Sequence, residues 1–252
     1  GIDITLETYP YPVGSSFPQA FFPSYFHEGG PEEMLRILND EDKRAELIDE
    51  MSNVTYTDPK TNVWTHIGSE QNKHLEGRLF SDVADDWGVS VQEMMCRVMV
   101  EESLTCGMRT APPGNVRVWR QVEEDIMQLM ARPDYMVGSD SIPVGGMPHP
   151  RAHGCFVRMV GRLRRRYNYP VEQVVQRMTQ NPAERFGLTD RGVIAEGKFA
   201  DLVIFDEQNI NDRSSFEDPN VYAEGVPFVL VNGKFAVENE AVTGVLAGQA
   251  IP

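Results

Sequence analysis

The sequence lacks any long apolar run, and this absence argues against a membrane-spanning protein. No stretch of the 252 residues approaches the roughly 18–20 consecutive apolar residues that a membrane-spanning helix needs. The opening GIDITLETYP also lacks the basic segment of a secretory signal peptide, so we expect no export of the chain. The composition, with 41% hydrophobic and 24% charged residues, is typical of a soluble globular protein.

Basic residues are also scarce. The chain has 23 Lys and Arg against 38 Asp and Glu, which gives a net charge of −15. Such a balance argues against a phosphate backbone as a partner, so we expect no nucleic-acid binding. One basic run, RLRRR, occupies 162–166. Apolar residues at helical spacing accompany it, namely Phe156, Met159, Val160 and Leu163. We therefore interpret the run as the solvated face of a helix.

Cysteine is limited to Cys96, Cys106 and Cys155, with no CxxC spacing among them. This pattern predicts neither a disulfide framework nor a zinc knuckle, and it fits a reducing, cytoplasmic setting. The sequence also contains no Walker loop and no Gly-rich dinucleotide fingerprint. These absences leave adenosine and nucleic-acid chemistry without support.

The sequence contains patterns of alternating helices and strands up to about residue 190, and a pattern of short strands after it. Helical spacing of apolar residues predicts helices in these ranges: 31–51, 90–103 with Ser90 as N-cap, 121–131, 153–167 and 170–179. The opening residues and YMVGSD at 135–140 are predicted as strands. From Arg191 onward, short strands separated by Gly, Asn-Gly and Asp turns predict a small β unit.

Asp140 is the first candidate site residue because it stands at the end of a predicted strand, before a loop rich in Gly and Pro. The carboxyl ends of strands are where α/β barrels place catalytic groups. A carboxylate there could act as a general base, as a metal ligand, or as the N-cap of a nearby helix. The spacing alone leaves these alternatives open.

Three stretches resemble one known family. They are GSDSIPVGGMPHPRAHGCFVRMVG at 138–161, VVQRMTQNPAERFGLTDRGVIAEGKFADLVIFD at 174–206, and VLVNGKFAVENEAVTG at 229–244. They look like the C-terminal part of the D-aminoacylases, the N-acyl-D-amino-acid deacylases of the amidohydrolase superfamily. The opening DITLETYPYPVGSS is similar to that family's D-x-x-x-D-x-Y-P-Y-x-x-x-S segment. The region 40–130 is more divergent.

The resemblance implies an α/β fold. The chain would form the C-terminal part of a TIM-like (β/α)8 amidohydrolase barrel, together with part of a small β-sandwich or barrel domain. By this resemblance, residues 1–190 belong to the barrel, with a lid insertion at about 17–111. Residues 191–252 belong to the small β domain. GIDITLETYPY would be the seventh barrel strand, and YMVGSD the eighth.

The resemblance also implies roles for four residues. Asp140 would be the general base that takes a proton from the metal-bound water and passes it to the leaving amine. Arg151 would grip the substrate carboxylate with its planar fork. Tyr9 and Ser15 fall where the family places further carboxylate contacts. For Tyr9, an aromatic side chain that simply packs in the barrel core is the alternative.

The histidines and cysteines are not expected to be catalytic. His149 stands between two prolines, and we interpret it as shaping the loop rather than binding metal, because a metal ligand needs partners and none is positioned nearby in the sequence. His27, His66 and His74 lie in the predicted insertion, although His66 and His74 could face a substrate. The cysteines are expected on helical or loop stretches.

The family's zinc ligands lie earlier in its barrel, and their motifs are absent from these residues: a His-x-His, a cysteine, and histidines on two further strands. A (β/α)8 barrel needs about 250 residues, whereas this chain supplies two strands of one. We therefore expect a partner, the N-terminal half of the same enzyme, which would carry most of the zinc ligands, with Asp140 the one possible ligand here. The chain would be a separate subunit, a cleavage fragment, or a non-catalytic remnant.

The resulting hypothesis is the C-terminal half, or subunit, of a zinc-dependent amidohydrolase that hydrolyses the amide of N-acyl amino acids, with the D configuration implied by the resemblance alone. It would be active only with the N-terminal half. A cyclic or other amide is the alternative substrate, and a non-catalytic structural or regulatory subunit is the alternative of a different class. Ser141 stands where a glycine often follows the family's aspartate.

Overall fold

The structure is a computed structural model, and it describes residues 1–53 and 58–251. The strands, in chain order, are β1 (Leu6–Thr8), β2 (Ser15–Ser16), β3 (Asn62–Ile67), β4 (Cys106–Thr110), β5 (Tyr135–Val137), β6 (Leu202–Ile204), β7 (Phe228–Val231), β8 (Lys234–Glu238) and β9 (Ala241–Val242).

The α-helices are α1 (Gly30–Asn39), α2 (Glu41–Asn53), α3 (Phe80–Trp87), α4 (Val91–Glu101), α5 (Val116–Met130), α6 (Arg151–Arg158), α7 (Arg164–Arg166), α8 (Val171–Met178) and α9 (Gln180–Arg185). A π-helical segment, Met159–Leu163, joins α6 to α7. Short 3-10 turns occur at Pro18–Phe21, Ser24–His27, Pro59–Thr61 and Lys73–Leu75. This mixture makes the chain an α/β protein.

The described residues form two compact units. The first unit contains residues 1–12, 114–141 and 150–252, and the second contains residues 13–113 and 142–149. The predicted insertion at 17–111 falls inside the second unit. Its function as a lid, and the assignment of the rest to a barrel and a β domain, stay predictions.

The second unit is built on a small antiparallel sheet in the order β2-β4-β3. Trp64 on β3 is fully buried, and its ring lies 4.2 Å from the ring of Phe80, measured between centroids. Helix α4 buries Met94 and Met95 in the same cluster. Burial of a large apolar side chain contributes about 1.5–3 kcal/mol, so this cluster provides the unit with a substantial core of its own.

The first unit contains a parallel strand pair and an antiparallel sheet. Strands β1 and β5 pair in parallel, and β6-β7-β8-β9 form a four-stranded antiparallel sheet. Helices α5 and α8 pack against β5, and the π-helical segment packs against α8. The buried residues of this cluster are Ile126, Met127, Met130, Val137, Cys155, Met159, Val160, Leu163, Val174 and Ile210.

Several predicted elements are present with altered bounds. The predicted helix at 90–103 is confirmed as α4, and Ser90 caps it, since its hydroxyl accepts a hydrogen bond from the Glu93 N–H at 3.1 Å. The helix at 153–167 begins earlier, at Arg151. The opening strand was placed too early, because β1 starts only at Leu6. Helices α3 and α9 were not predicted.

The helix predicted at 31–51 is present as two helices, α1 and α2, and only its continuity was wrong. Asp40 adopts an extended conformation, with φ −86° and ψ 115°, and separates α1 from α2. Its carboxylate accepts a hydrogen bond from the Lys43 N–H at 3.1 Å, which caps the second helix. Asp40 therefore separates α1 from α2 and caps α2, although the apolar spacing around it is that of one continuous helix.

The basic run at 162–166 does more than face solvent. Arg165 donates to the carbonyl of Ile210 at 2.9 Å, and Arg164 donates to the carbonyl of Glu207 at 3.2 Å. The run therefore helps to hold the segment that follows β6 within the first unit. None of the helices that the structure describes combines the length and apolar composition that a membrane crossing requires.

The N-cap of α4 gives a first test of this fold. Ser90→Ala removes the hydroxyl that accepts the Glu93 N–H, and it should lower the free energy of unfolding by about 1 kcal/mol. Urea denaturation monitored by circular dichroism measures the change. The exposed Ser24 offers a matched control, and equal losses for Ser90→Ala and Ser24→Ala would contradict the capping role.

Candidate active site

The parallel pair brings together residues that lie far apart in the sequence. Thr8 on β1 is opposite Val137 on β5, and the pairing continues past the strands because the Gly138 N–H donates to the Thr8 carbonyl at 3.1 Å. Tyr9 directly follows β1, and Asp140 ends the short segment that follows β5. Since parallel strands point their carboxyl ends at one edge, both residues lie at the edge where α/β folds place catalytic groups.

Arg151, the first residue of α6, completes a cluster with these two residues. Its Nη2 lies 2.9 Å from Oδ2 of Asp140. Its Cζ lies 4.5 Å from the centroid of the Tyr9 ring. A guanidinium over an aromatic face is attracted by about 0.5–2 kcal/mol. The structure therefore brings together three of the four predicted site residues.

The two charged members of this cluster differ in exposure. The side chain of Arg151 is fully buried, whereas that of Asp140 is 62% exposed. The guanidinium is thus covered on the protein side, and a carboxylate that faces solvent pairs with it. This arrangement shows that the Arg151 fork can bind a carboxylate in this position.

The backbone at Asp140 is in the left-handed region, with φ 46°. This conformation costs a non-glycine residue of order 1 kcal/mol or more, and aspartate tolerates it better than most. The ion pair with Arg151 offsets part of that cost. The left-handed turn therefore fixes the direction in which the carboxylate leaves the strand.

Ser15 lies in the other unit. It belongs to β2, and its hydroxyl donates to the carbonyl of Met108 at 2.8 Å. Its predicted contact with a substrate carboxylate stays a prediction.

His149 also lies in the second unit, at the end of the segment 142–149 that joins the regions of Asp140 and Arg151. Its ring is buried, and its Nε2 donates to the carbonyl of Val13 at 3.0 Å. This contact supports the interpretation that His149 shapes the loop.

Within 1–53 and 58–251, no group of three or more His, Cys, Asp or Glu could hold a metal ion. The carboxylate of Asp140 is engaged by Arg151. The residues of these ranges therefore do not fit a zinc ion by themselves.

The cysteines are equally unsuited to bind metal or to act as nucleophiles. Cys96, Cys106 and Cys155 are all buried, and burial raises the pKa of each thiol to about 12. All three are therefore protonated at neutral pH, whereas metal binding and nucleophilic attack need the thiolate. The prediction that they lie on helices or loops was wrong for Cys106, which begins β4.

Comparison with known proteins identifies the family. The model of the amidohydrolase family matches residues 98–237, which is more than half of the chain. The chain belongs to the amidohydrolase family.

Among the curated relatives, the chain is similar to N-acyl-D-glutamate deacylase from Alcaligenes xylosoxydans xylosoxydans. The two are 30% identical over 234 residues, which are 92% of this chain and 38% of that protein. D-aminoacylase from the same organism is 34% identical over 178 residues, 70% of this chain and 34% of that protein. The chain thus spans well under half of the length of these amidohydrolases.

Solved structures give the same result. The crystal structure of D-aminoacylase matches 98% of this chain and 42% of its own, with a TM-score of 0.68 and 27% identity. N-acyl-D-glutamate deacylase from Bordetella bronchiseptica, solved with zinc and a phosphonate inhibitor, matches 94% of this chain and 40% of its own. Its TM-score is 0.67 and its identity 28%. The α/β fold is therefore shared with amidohydrolases of the D-aminoacylase type.

Sequence reasoning missed a residue that anchors the segment between Asp140 and Arg151. The Glu76 side chain is 8% exposed, and its carboxylate accepts the N–H groups of Gly146 and Ile67, both at 2.9 Å. Lys73 Nζ also donates to it at 2.8 Å. Gly146 lies 70 residues away in the sequence, so no local pattern could have indicated this contact.

The charge of Glu76 is stabilised by these donors. Burial, the largest single influence, raises the pKa of the carboxyl, but the hydrogen bonds from Lys73, Ile67 and Gly146 together hold the pKa below its usual range. A depressed pKa means that the carboxylate contributes stability above its unfolded-state pKa of about 4.3. That contribution is lost as the pH falls through the lower folded-state pKa.

Glu76→Gln should loosen the segment 142–149. In the carboxylate, each oxygen accepts one backbone N–H. The glutamine amide has one acceptor oxygen, and its NH2 group can only donate, so one backbone N–H loses its acceptor. We expect a loss of about 1–3 kcal/mol in unfolding free energy. Hydrogen exchange at Gly146 and Met147 should become faster. The acid-induced loss of stability just below pH 4.3 should become smaller than in the unmodified chain.

Glu102 supplies the matched control, since it lies in the same unit and its pKa is also below the usual range. Burial raises that pKa, but hydrogen bonds from Ser69 and Asn72 outweigh burial. Glu102→Gln should destabilise the unit without changing exchange at Gly146 and Met147. Equal exchange in both variants would show that Glu76 does not anchor this segment.

Proposed function

We propose that this chain provides the general base and the carboxylate-binding arginine of an enzyme that hydrolyses the amide of N-acyl-D-amino acids. The observation that carries the proposal is the cluster of Tyr9, Asp140 and Arg151 at one edge of the parallel pair. The similarity to N-acyl-D-glutamate deacylase and D-aminoacylase supports the substrate class.

Asp140 has the exposure and position that proton transfer requires. Hydrolysis needs a water molecule to lose a proton as its oxygen attacks the amide carbonyl. The departing nitrogen needs a proton as the C–N bond breaks. A single carboxylate can accept the first proton and return it to the amine, which leaves a free acid and a free amino acid.

Arg151 supplies recognition of the substrate's carboxylate. A guanidinium has five N–H donors in a fixed plane and is well suited to carboxylates. The side chain of Arg151 is fully buried, so a group that covers it must move before a substrate can reach it. The carboxylate of Asp140 is exposed, and it can move from Arg151 into the solvent. Under this proposal, the substrate carboxylate takes over the position of Asp140 and releases the base for proton transfer.

We propose that the zinc expected for such an enzyme is held mainly by residues outside these 252, with Asp140 as a possible ligand from this chain. The described residues do not form a metal site. The similar structures include one described for the binuclear metal center of D-aminoacylase and one complexed with zinc.

The proposal includes the fold of the complete enzyme, in which this chain forms the last strands of a TIM-like barrel and part of a small β domain. In the part of the chain that the structure describes, β1 and β5 form a sheet of only two parallel strands. Parallel sheets normally have more strands and are covered on both faces. This pair therefore needs further strands, which the N-terminal half of the barrel would provide.

Exposed apolar side chains support such a partner. Near β1, Ile2 is 87% exposed and Ile4 57% exposed. On β6 of the antiparallel sheet, Val203 and Ile204 are exposed as well. Clustered exposed apolar residues mark interaction surfaces. The proposed occupant of these surfaces is the N-terminal half of the enzyme, either a separate subunit or a cleaved fragment.

Asp140→Asn tests the catalytic role. Loss of the general base should lower kcat for an N-acyl-D-amino acid by about 10²–10⁴-fold. Asp134→Asn is the matched control, because Asp134 lies at the opposite end of β5 and also pairs with an arginine, Arg132. We expect little change in kcat for Asp134→Asn. Full activity of Asp140→Asn would instead favour a non-catalytic subunit.

Native mass spectrometry followed by denaturation and zinc analysis tests the partner. We expect a second polypeptide of comparable size to accompany the chain, together with zinc. Ile4→Lys should weaken that association, whereas Val116→Lys, at an exposed apolar residue on α5, should leave it intact. A folded, metal-free chain alone would overturn the proposal, and a single larger polypeptide that contains this sequence would overturn its two-chain form.

A further inference from the structure

One face of α6 lies against the segment Tyr9–Tyr11. Arg151, Gly154 and Arg158 are three and four residues apart, so they share this face. Arg151 lies beneath the ring of Tyr9 at 4.5 Å, and Arg158 lies 5.0 Å from the centroid of the Tyr11 ring. The segment that carries a predicted site residue is therefore held against the helix that carries Arg151.

Arg158 fixes this segment through its backbone. Its side chain is buried, and its Nε donates to the carbonyl of Pro10 at 3.0 Å. Pro10 directly follows Tyr9. A proline carbonyl that is buried beside a guanidinium loses a charge-assisted hydrogen bond if the arginine moves.

Two buried carboxylates hold Arg158 itself. Its Nη2 donates to Oε1 of Glu123 at 3.0 Å, and its Nη1 donates to Oδ2 of Asp212 at 3.1 Å. Glu123 lies on α5 and Asp212 on the segment after β6, so the planar fork binds three separate parts of the first unit. Lysine cannot reproduce three fixed donor directions at once.

Gly154 permits the close approach of Tyr11. A Cβ at this position would lie 2.5 Å from Tyr11 Oη and 3.4 Å from the Cβ of Asp212. Tyr11 is buried, and burial, with the nearby charge of Asp212, raises the pKa of its phenol, so the ring packs as a neutral group. A larger side chain at 154 would therefore displace the Tyr11 side chain from this face of α6.

We propose that Arg158 is a positioning residue that holds the Tyr9–Tyr11 segment against α6 and so keeps Tyr9 over Arg151 for recognition of the substrate carboxylate. The catalytic part of this inference rests on the function proposed above. The structural part, that Arg158 orders the segment, can be tested without any substrate.

The experiment compares Arg158→Lys with Arg177→Lys in the active enzyme with all of its chains. Arg177 is a buried arginine of the same unit, and it donates to a backbone carbonyl, that of Met130, at 3.3 Å. Hydrogen exchange of the peptide that covers residues 6–13 should be faster in Arg158→Lys and unchanged in Arg177→Lys. Gly154→Ala should have the same effect on this peptide without removing the arginine.

Kinetics then test the role in recognition. For an N-acyl-D-amino acid, Arg158→Lys should lower kcat/KM by about 10–100-fold, mostly through a higher KM. For the matching N-acyl-D-amino-acid amide, which has no carboxylate, the change should be small. Arg177→Lys should affect both substrates equally.

Two results would overturn the proposal: unchanged exchange in residues 6–13 of Arg158→Lys, or an equal loss of kcat/KM for the acid and the amide. Failure of the proposed function would be seen differently. The unmodified enzyme would then hydrolyse no N-acyl-D-amino acid, and the exchange data would still decide whether Arg158 orders the segment.

Discussion

The parallel pairing of β1 with β5 is the constraint on which the site depends. It aligns two stretches that are separated by more than a hundred residues, most of which form the second unit. Because both strands run in the same direction, Tyr9 and Asp140 leave the sheet at the same edge. Helix α6 begins with Arg151, whose guanidinium contacts both of them. The strands contribute few residues, yet they determine which side chains can meet.

Buried charge is the second feature that shapes the first unit. A chain with a net charge of −15 still buries Arg151 and Arg158, two of its few basic residues. Removing a guanidinium from water is costly unless carboxylates and carbonyls replace the water. Arg158 has two buried carboxylate partners, Glu123 and Asp212, whereas Arg151 pairs with the exposed Asp140. The first arrangement is suited to holding structure and the second to exchanging partners with a ligand.

The sequence permitted prediction of the residues that belong to contiguous motifs, and it failed where contacts are distant. Asp140 and Arg151 lie eleven residues apart within the stretch 138–161. Helix α4 could be predicted from the spacing of its apolar residues and from its N-cap. Arg158 carried a weak signal, because it lies two helical turns from Arg151. Glu76 carried none, since its partner Gly146 is brought near only by folding of the second unit. At Asp40 a local pattern gave a wrong prediction, because the apolar spacing indicated one continuous helix although Asp40 ends α1 and caps α2.

The location of the site residues bears on how substrate preference could vary under the proposed function. All N-acyl-D-amino acids share an amide and a carboxylate, and they differ in the side chain and in the acyl group. Tyr9, Asp140 and Arg151, which would serve the shared groups, all lie in the first unit and are held by one strand pair and one helix. Recognition of the variable side chain therefore requires other residues, and these can change without disturbing the base or the arginine. Similarity to deacylases named for D-glutamate and for D-aspartate agrees with such a separation, because a shared carboxylate-binding cluster is compatible with either.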